Sequence, residues 1–125
     1  MVGEKMREIL FRGKRDKRYG KDWTYGVPYI DHENDCIIAT HCSKRVVIPE
    51  TVGEFTGATD KNGKKIFEGD IVRYELSAYG KSLTKDYEIV FHNYSWGCKN
   101  EKGNISRLDL FEPSLLEVIG NKHEK

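Results

Sequence analysis

No apolar run in this sequence approaches the ~20 residues that a bilayer span requires, so an integral membrane protein is not expected. Charge of one sign is also lacking. Twenty-one basic residues stand against 20 acidic ones for a net +1, which argues against overall electrostatic attraction to nucleic acid. Cysteine is sparse and odd in number. Cys36, Cys42 and Cys98 do not make a disulfide framework in a chain able to bury its own core. Helical periodicity is missing too, with no stretch of about 12 residues at helical apolar spacing, so any helix is short. There is no repeat and no low-complexity segment. The first ten residues carry charges throughout, and Ile9-Leu10-Phe11 falls short of the roughly 7–15 apolar residues of a secretory signal. The expectation is a cytoplasmic protein with reduced thiols.

What remains is ample for a fold. Of the 125 residues, 38% are hydrophobic and 11% aromatic, too many for a disordered chain despite 33% charged. A chain this long buries roughly two-thirds of its unfolded surface, enough for a core without staples. Almost every patterned stretch has period two. Trp23, Tyr25, Val27 and Tyr29 alternate with Thr24, Gly26 and Pro28, the pattern of a half-buried strand with Pro28 at an edge or bulge. Cys36 to Thr40 and Arg45 to Ile48 are short β-branched runs, and the polar Asp31 to Asp35 separates the first from the preceding strand like a hairpin loop. Val72, Tyr74 and Leu76 oppose Ile71, Arg73 and Glu75. Tyr87, Ile89 and Phe91 alternate again, as do Tyr94, Trp96 and Cys98, with His92-Asn93 as the tight connection between them. Pro49 to Phe55 and Pro113 to Glu117 are the candidates for a helical turn.

Turn chemistry organises the rest. Asn62-Gly63, within Asp60 to Lys65, is the strongest local signal, because both residues tolerate the positive φ of a type I′ turn. Glu68-Gly69-Asp70 then turns into the strand at Ile71. The expected fold class is mainly β: an N-terminal β-meander over 1–54, followed by a small, strongly bent barrel of the SH3 type over 55–125.

Several stretches resemble the YopX family of bacteriophage and prophage proteins. The opening Arg7 to Arg15 and the step Trp23-Thr24-Tyr25-Gly26 look like that family's start. Pro49 to Gly57, followed by Asp60 to Arg73, is similar to its central motif, and Glu117-Val118-Ile119-Gly120-Asn121 resembles its closing one. After Asn121 the chain departs from the pattern, with Lys122 to Lys125 where relatives continue with an aromatic and an Asn. The resemblance implies a mostly β protein with SH3-like barrel geometry, encoded among phage accessory genes and located in the bacterial host cytoplasm. It implies no reaction, and so no catalytic residues.

The residue patterns that would carry chemistry are incomplete. Five residues separate Gly57 from Gly63 where a phosphate-binding loop has four, and Lys65 stands where Ser or Thr would hold Mg²⁺. Asp31, Glu33 and Asp35 offer Ca²⁺-loop oxygens, but Cys36 and Cys42 occupy the places of the required Gly and Glu. His32, Cys36, His41 and Cys42 contain no CxxC pair. Cys98 reads as core, with His92 the nearest base in sequence. No cofactor and no metal are expected. Gly57, Gly63 and Gly69 lie six apart, and Asp60 and Asp70 each suit a carboxylate that caps a turn. With Asn62 they read as a double turn fixing strand register, the alternative being a backbone-lined loop for a ligand or partner.

One polar cluster stands out. From Arg12 to Lys21, six residues are basic (Arg12, Lys14, Arg15, Lys17, Arg18, Lys21) against the single acid Asp16, and Tyr19 and Trp23 lie beside them. Basic side chains near aromatics neutralise phosphates and stack on bases, or meet an acidic protein partner, while charge runs are commonly solvated loops. Two function classes follow. The first is a non-catalytic phage or prophage accessory protein acting through contact with another protein or with itself as a homo-oligomer. The second is a nucleic-acid-binding module using residues 12–21.

Overall fold

The period-two pattern becomes strand along most of the chain. The structure, a computed structural model, describes residues 8–124. Its strands are β1 (Phe11–Lys14), β2 (Trp23–Ile30), β3 (Cys36–Ala39), β4 (Lys44–Val46), β5 (Gly53–Thr59), β6 (Lys65–Phe67), β7 (Asp70–Ala78), β8 (Lys81–His92), β9 (Ser95–Lys99), β10 (Ile105–Arg107) and β11 (Leu116–Asn121). Helix among the described residues is limited to three single 3₁₀ turns, Pro49–Thr51, Leu108–Leu110 and Pro113–Leu115. Two of these open on Pro, whose missing N–H is not needed at a helix start. The chain divides into two units, Met1–Gly57 and Ala58–Lys125.

In the first unit the strands run antiparallel in the order β4-β3-β2-β1-β5, and β5 continues beyond the boundary to neighbour β6. Register is set from Phe11↔Gly26 to Lys14↔Trp23 and from Val27↔Ala39 to Ile30↔Cys36. Ile38 and Val47 are fully buried on one face. Glycine lets the strands close over them. A Cβ on Gly13 would stand 3.0 Å from the side chains of Ile38 and Val47, and one on Gly26 would stand 2.2 Å from the Ala39 carbonyl oxygen.

The second unit holds a five-stranded antiparallel sheet in the order β10-β9-β8-β7-β11. Alternation sends Val72, Ile89, Cys98 and Leu116 to one face, where they form a core with Ile66 and Leu108. Tyr74, Tyr87 and Phe111 extend it, the Phe111 ring meeting both tyrosines edge-on at centroid distances of 4.9 and 5.1 Å. The other face is charged: Arg73 lies between Glu117 and Asp86 across three strands, and Glu88 lies opposite Lys99. Neither sheet closes on itself among the described residues.

The mainly β expectation is met, two local expectations move, and one hairpin is new. Asn62-Gly63 does not form a type I′ turn: only Gly63 has positive φ (78°), and Asn62 does not. Gly63 N–H donates to the Asp60 carbonyl (3.0 Å) and Asp60 N–H to the Lys64 carbonyl (2.8 Å), so the connection is a type I turn closed by a left-handed glycine. The Asp60 side chain favours that form by taking the Asn62 and Lys64 N–H groups. The β8–β9 connection slides one residue, to Asn93-Tyr94, both with positive φ (50° and 64°). Tyr94 is thereby 97% exposed instead of joining the Trp96–Cys98 face. A third hairpin, with Tyr79 and Gly80 at positive φ (52° and 75°), joins β7 to β8 where the sequence reading placed none.

Candidate functional site

The central motif is built as a clasp. Asp60 is 6% exposed, and its carboxylate accepts three backbone N–H bonds: from Asn62 and Lys64 in its own turn (2.8 and 2.9 Å) and from Val118 on β11 (2.9 Å). Lys61 N–H donates to the Leu116 carbonyl at 2.9 Å, and the Lys61 ammonium lies 3.7 Å from the Glu117 carboxylate. Burial pushes the Asp60 carboxyl pKa up, but the three N–H donors outweigh it and hold the group below its ordinary value. Asp70 repeats the device at the next turn, its carboxylate accepting the Phe67 N–H at 2.8 Å. Gly69, at φ 91°, donates its N–H to the Ile89 carbonyl and accepts from Lys122 N–H. Gly57 also takes positive φ (92°), at the end of the first unit. Both carboxylates are turned onto backbone, the arrangement of a register-fixing double turn.

The basic cluster disperses on folding. Arg12 lies inside β1, 5% exposed, with its guanidinium 4.6 Å from the centre of the Trp23 ring, which removes it from any contact surface. Lys14 ends the same strand, its N–H donating to Thr51 Oγ1 at 2.8 Å. The Arg15 guanidinium lies 3.7 Å from Asp22. Arg18 forks onto Asp16 at 3.0 and 3.3 Å and lies 5.3 Å from the Tyr19 ring centre. Hydrogen bonds from Arg18 hold the Asp16 carboxyl low and, in return, raise the guanidinium. Lys17, Tyr19 and Lys21 are left exposed in the turn.

The cysteine and histidine candidates stay apart. Cys98 is fully buried and its thiol is pushed up to about 12 by burial, which leaves no thiolate for nucleophilic chemistry at neutral pH. His92, exposed at the end of β8, pairs with Ser95 and not with Cys98, which stands opposite Ile89. Asp31 uses one carboxylate oxygen to accept the Glu33 and Asp35 N–H groups, so the loop closes on its own backbone. No group of three or more His, Cys, Asp or Glu gathers among the described residues.

Exposure concentrates in two other places. On β2, Tyr25, Val27 and Tyr29 lie on one face at alternate positions and are all exposed. The larger feature is the β7–β8 hairpin. Every residue from 75 to 86 is exposed, with Tyr79 at the tip and Leu76 opposite Leu83 along the shaft, 46% and 63% exposed. β11 accompanies β7 only to Tyr74, and β9 accompanies β8 only from Glu88, so beyond these residues the sheet is a two-stranded ribbon. No sequence pattern marks it as a ribbon. Its one local mark is Gly80, and its exposure depends on where neighbouring strands stop.

A model of the family described as YopX protein matches residues 10–125, nearly the whole chain. No curated protein matches it. The match spans the first strand, the Asp60 clasp, the ribbon and the closing strand alike, and on that extent the chain belongs to the YopX protein family.

Proposed function

We propose that this chain is a non-catalytic accessory protein of a phage or prophage that works in the host cytoplasm by binding another protein. The observation that carries this reading is the β7–β8 ribbon. An isolated two-stranded ribbon gains little stability in water, and this one holds two leucines and a tyrosine in solvent. Such a segment stabilises the monomer little, and its exposed apolar side chains suit burial in a complex. We also read the second unit as related to small bent SH3-like barrels. The last strand of its five-stranded sheet, β11, returns beside that sheet's first, β7, with a register shift between Val118 and Gly120 that bends the pair.

The experiment compares the full chain with a ribbon-shortened variant in which residues 76–83 are replaced by Asn-Gly, joining the paired residues Glu75 and Thr84. Both are used as bait in phage-infected host cells. A protein retained by the full chain and lost from the variant supports the reading. Identical sets of retained proteins would overturn it. The nucleic-acid reading has less behind it, since Arg12 is buried and Arg15 and Arg18 are paired with acids of the same loop.

A further inference from the structure

The ribbon has two open edges, and they differ. On β7 the open edge runs only from Glu75 to Ala78, whereas on β8 it runs from Lys81 to Tyr87. At about 3.3 Å per residue the β8 edge offers roughly 20 Å of backbone, the length of an ordinary strand. Every second residue on it directs its N–H and C=O away from β7, where no strand stands among the described residues. The cross-strand register sets Lys81 by Ala78, Leu83 by Leu76 and Lys85 by Tyr74, so Lys81, Leu83 and Lys85 share one face. Neither lysine has an ion pair among the described residues. On the opposite face, by contrast, Asp86 is bound by the Arg73 fork at 2.9 and 3.1 Å.

We infer that the β8 edge from Lys81 to Tyr87 receives an added strand from a partner protein: an extended segment with acidic, apolar and acidic side chains at alternate positions. The apolar residue packs on Leu83, the acids pair with Lys85 and Lys81, and the backbones complete the ladder. This rests on the protein-contact reading above and names the partner's chemistry. A second copy does not fit the same edge in the register centred on Leu83. Antiparallel self-pairing centred on Leu83 sets Lys81 against Lys85 twice, and like charges directly opposite are destabilising. The lysines thus repel indiscriminate edge pairing, and an acidic strand turns that repulsion into specificity.

The test uses the full chain and two capped heptapeptides in which Thr alternates with Glu-Val-Glu or with Lys-Val-Lys. Binding is read from backbone amide shifts and hydrogen-exchange protection. The acidic peptide should shift and protect amides within 81–87, and the basic peptide should bind about tenfold more weakly or not at all. The double variant Lys81→Glu/Lys85→Glu, whose melting temperature should match the parent's because both sites are exposed, should reverse that preference. The inference is overturned by no response at 81–87 to millimolar acidic peptide, by an equal response to both peptides, or by a response at 81–87 to a DNA oligonucleotide instead. Self-association abolished by Lys81→Glu/Lys85→Glu would overturn it in favour of a second copy. If these fail while the ribbon-shortened bait still loses a protein, the edge chemistry is wrong and the protein-contact reading stands. If the bait experiment fails as well, both are wrong.

Discussion

Removing the Asp60 carboxylate tests the central clasp most directly. Its three acceptor bonds are charge-assisted, and such bonds contribute about 1.5–3 kcal/mol each when the freed donor stays dry. Asn62 and Lys64 are exposed residues, so water replaces two of the bonds in Asp60→Ala at small cost. Val118 lies on a half-buried strand, and its N–H loses a long-range partner. The expected loss for Asp60→Ala is about 2–4 kcal/mol, equivalent to a drop in melting temperature of roughly 3–5 °C per kcal/mol at this chain length. Asp60→Asn separates the local from the long-range part. Its carbonyl oxygen keeps the two turn bonds while its amide nitrogen faces the Val118 N–H, donor against donor, so the loss should be about 1–3 kcal/mol. The pH dependence has a defined sign. Because the folded carboxyl pKa is held below its ordinary value of 3.8, the stability it adds is present above that value and is lost as pH falls through the folded one. Urea melts of wild type and Asp60→Asn should therefore differ at pH 7, and the gap should close as pH falls below 3.8 and through the lowered folded value. An Asp60→Ala change under about 0.5 kcal/mol, or a gap independent of pH, would refute the clasp.

Three further outcomes follow from the same geometry. Gly26→Ala places a Cβ 2.2 Å from the Ala39 carbonyl oxygen, so the first sheet should lose about 3 kcal/mol or more, and unchanged amide protection in β2 and β3 would contradict this. Under native conditions a thiol reagent should label exposed Cys42 at once and buried Cys98 only after unfolding, so three equivalents reacting together would show an open core. Replacing Arg15, Lys17 and Arg18 together by Gln should leave the melting temperature nearly unchanged, because one partner of each pair, with Asp22 and with Asp16, is exposed. Gel shifts at low salt with single- and double-stranded probes should be negative for both chains. A shift present in wild type and lost in the variant would restore the nucleic-acid reading.

Much of the architecture could be read from alternation, because most strands bury one face and leave the other wet. Val72, Ile89 and Cys98 sit where period two puts them, and Pro49 and Pro113 open the turns they were expected to open. The turns were harder. Asn62-Gly63 carries the composition of a type I′ turn, yet the buried Asp60 carboxylate claims the neighbouring N–H groups and selects another geometry, a choice made by a contact 58 residues away as much as by local preference. The true double positive-φ turns fall at Tyr79-Gly80 and Asn93-Tyr94, where a tyrosine takes a dihedral its side chain does not favour. The ribbon left no pattern to read, since both of its faces are wet.

The most basic stretch of sequence is not where the proposed binding surface lies. Charge density along the chain counts side chains before folding, whereas recognition depends on charges left without partners afterwards. Between residues 12 and 21 folding buries Arg12 on Trp23 and sets Arg15 and Arg18 against Asp22 and Asp16. Lys17 and Lys21 are left exposed in the turn between β1 and β2. On the ribbon only two lysines are involved, but they flank an exposed leucine on a strand whose outer N–H and C=O groups have no ladder partner among the described residues. Charge, apolar surface and unpaired backbone coincide at Lys81 to Tyr87. A partner strand there satisfies all three at once, whereas a phosphate at Lys17 satisfies one. That difference, more than the number of basic residues, favours a protein over a nucleic acid as the partner.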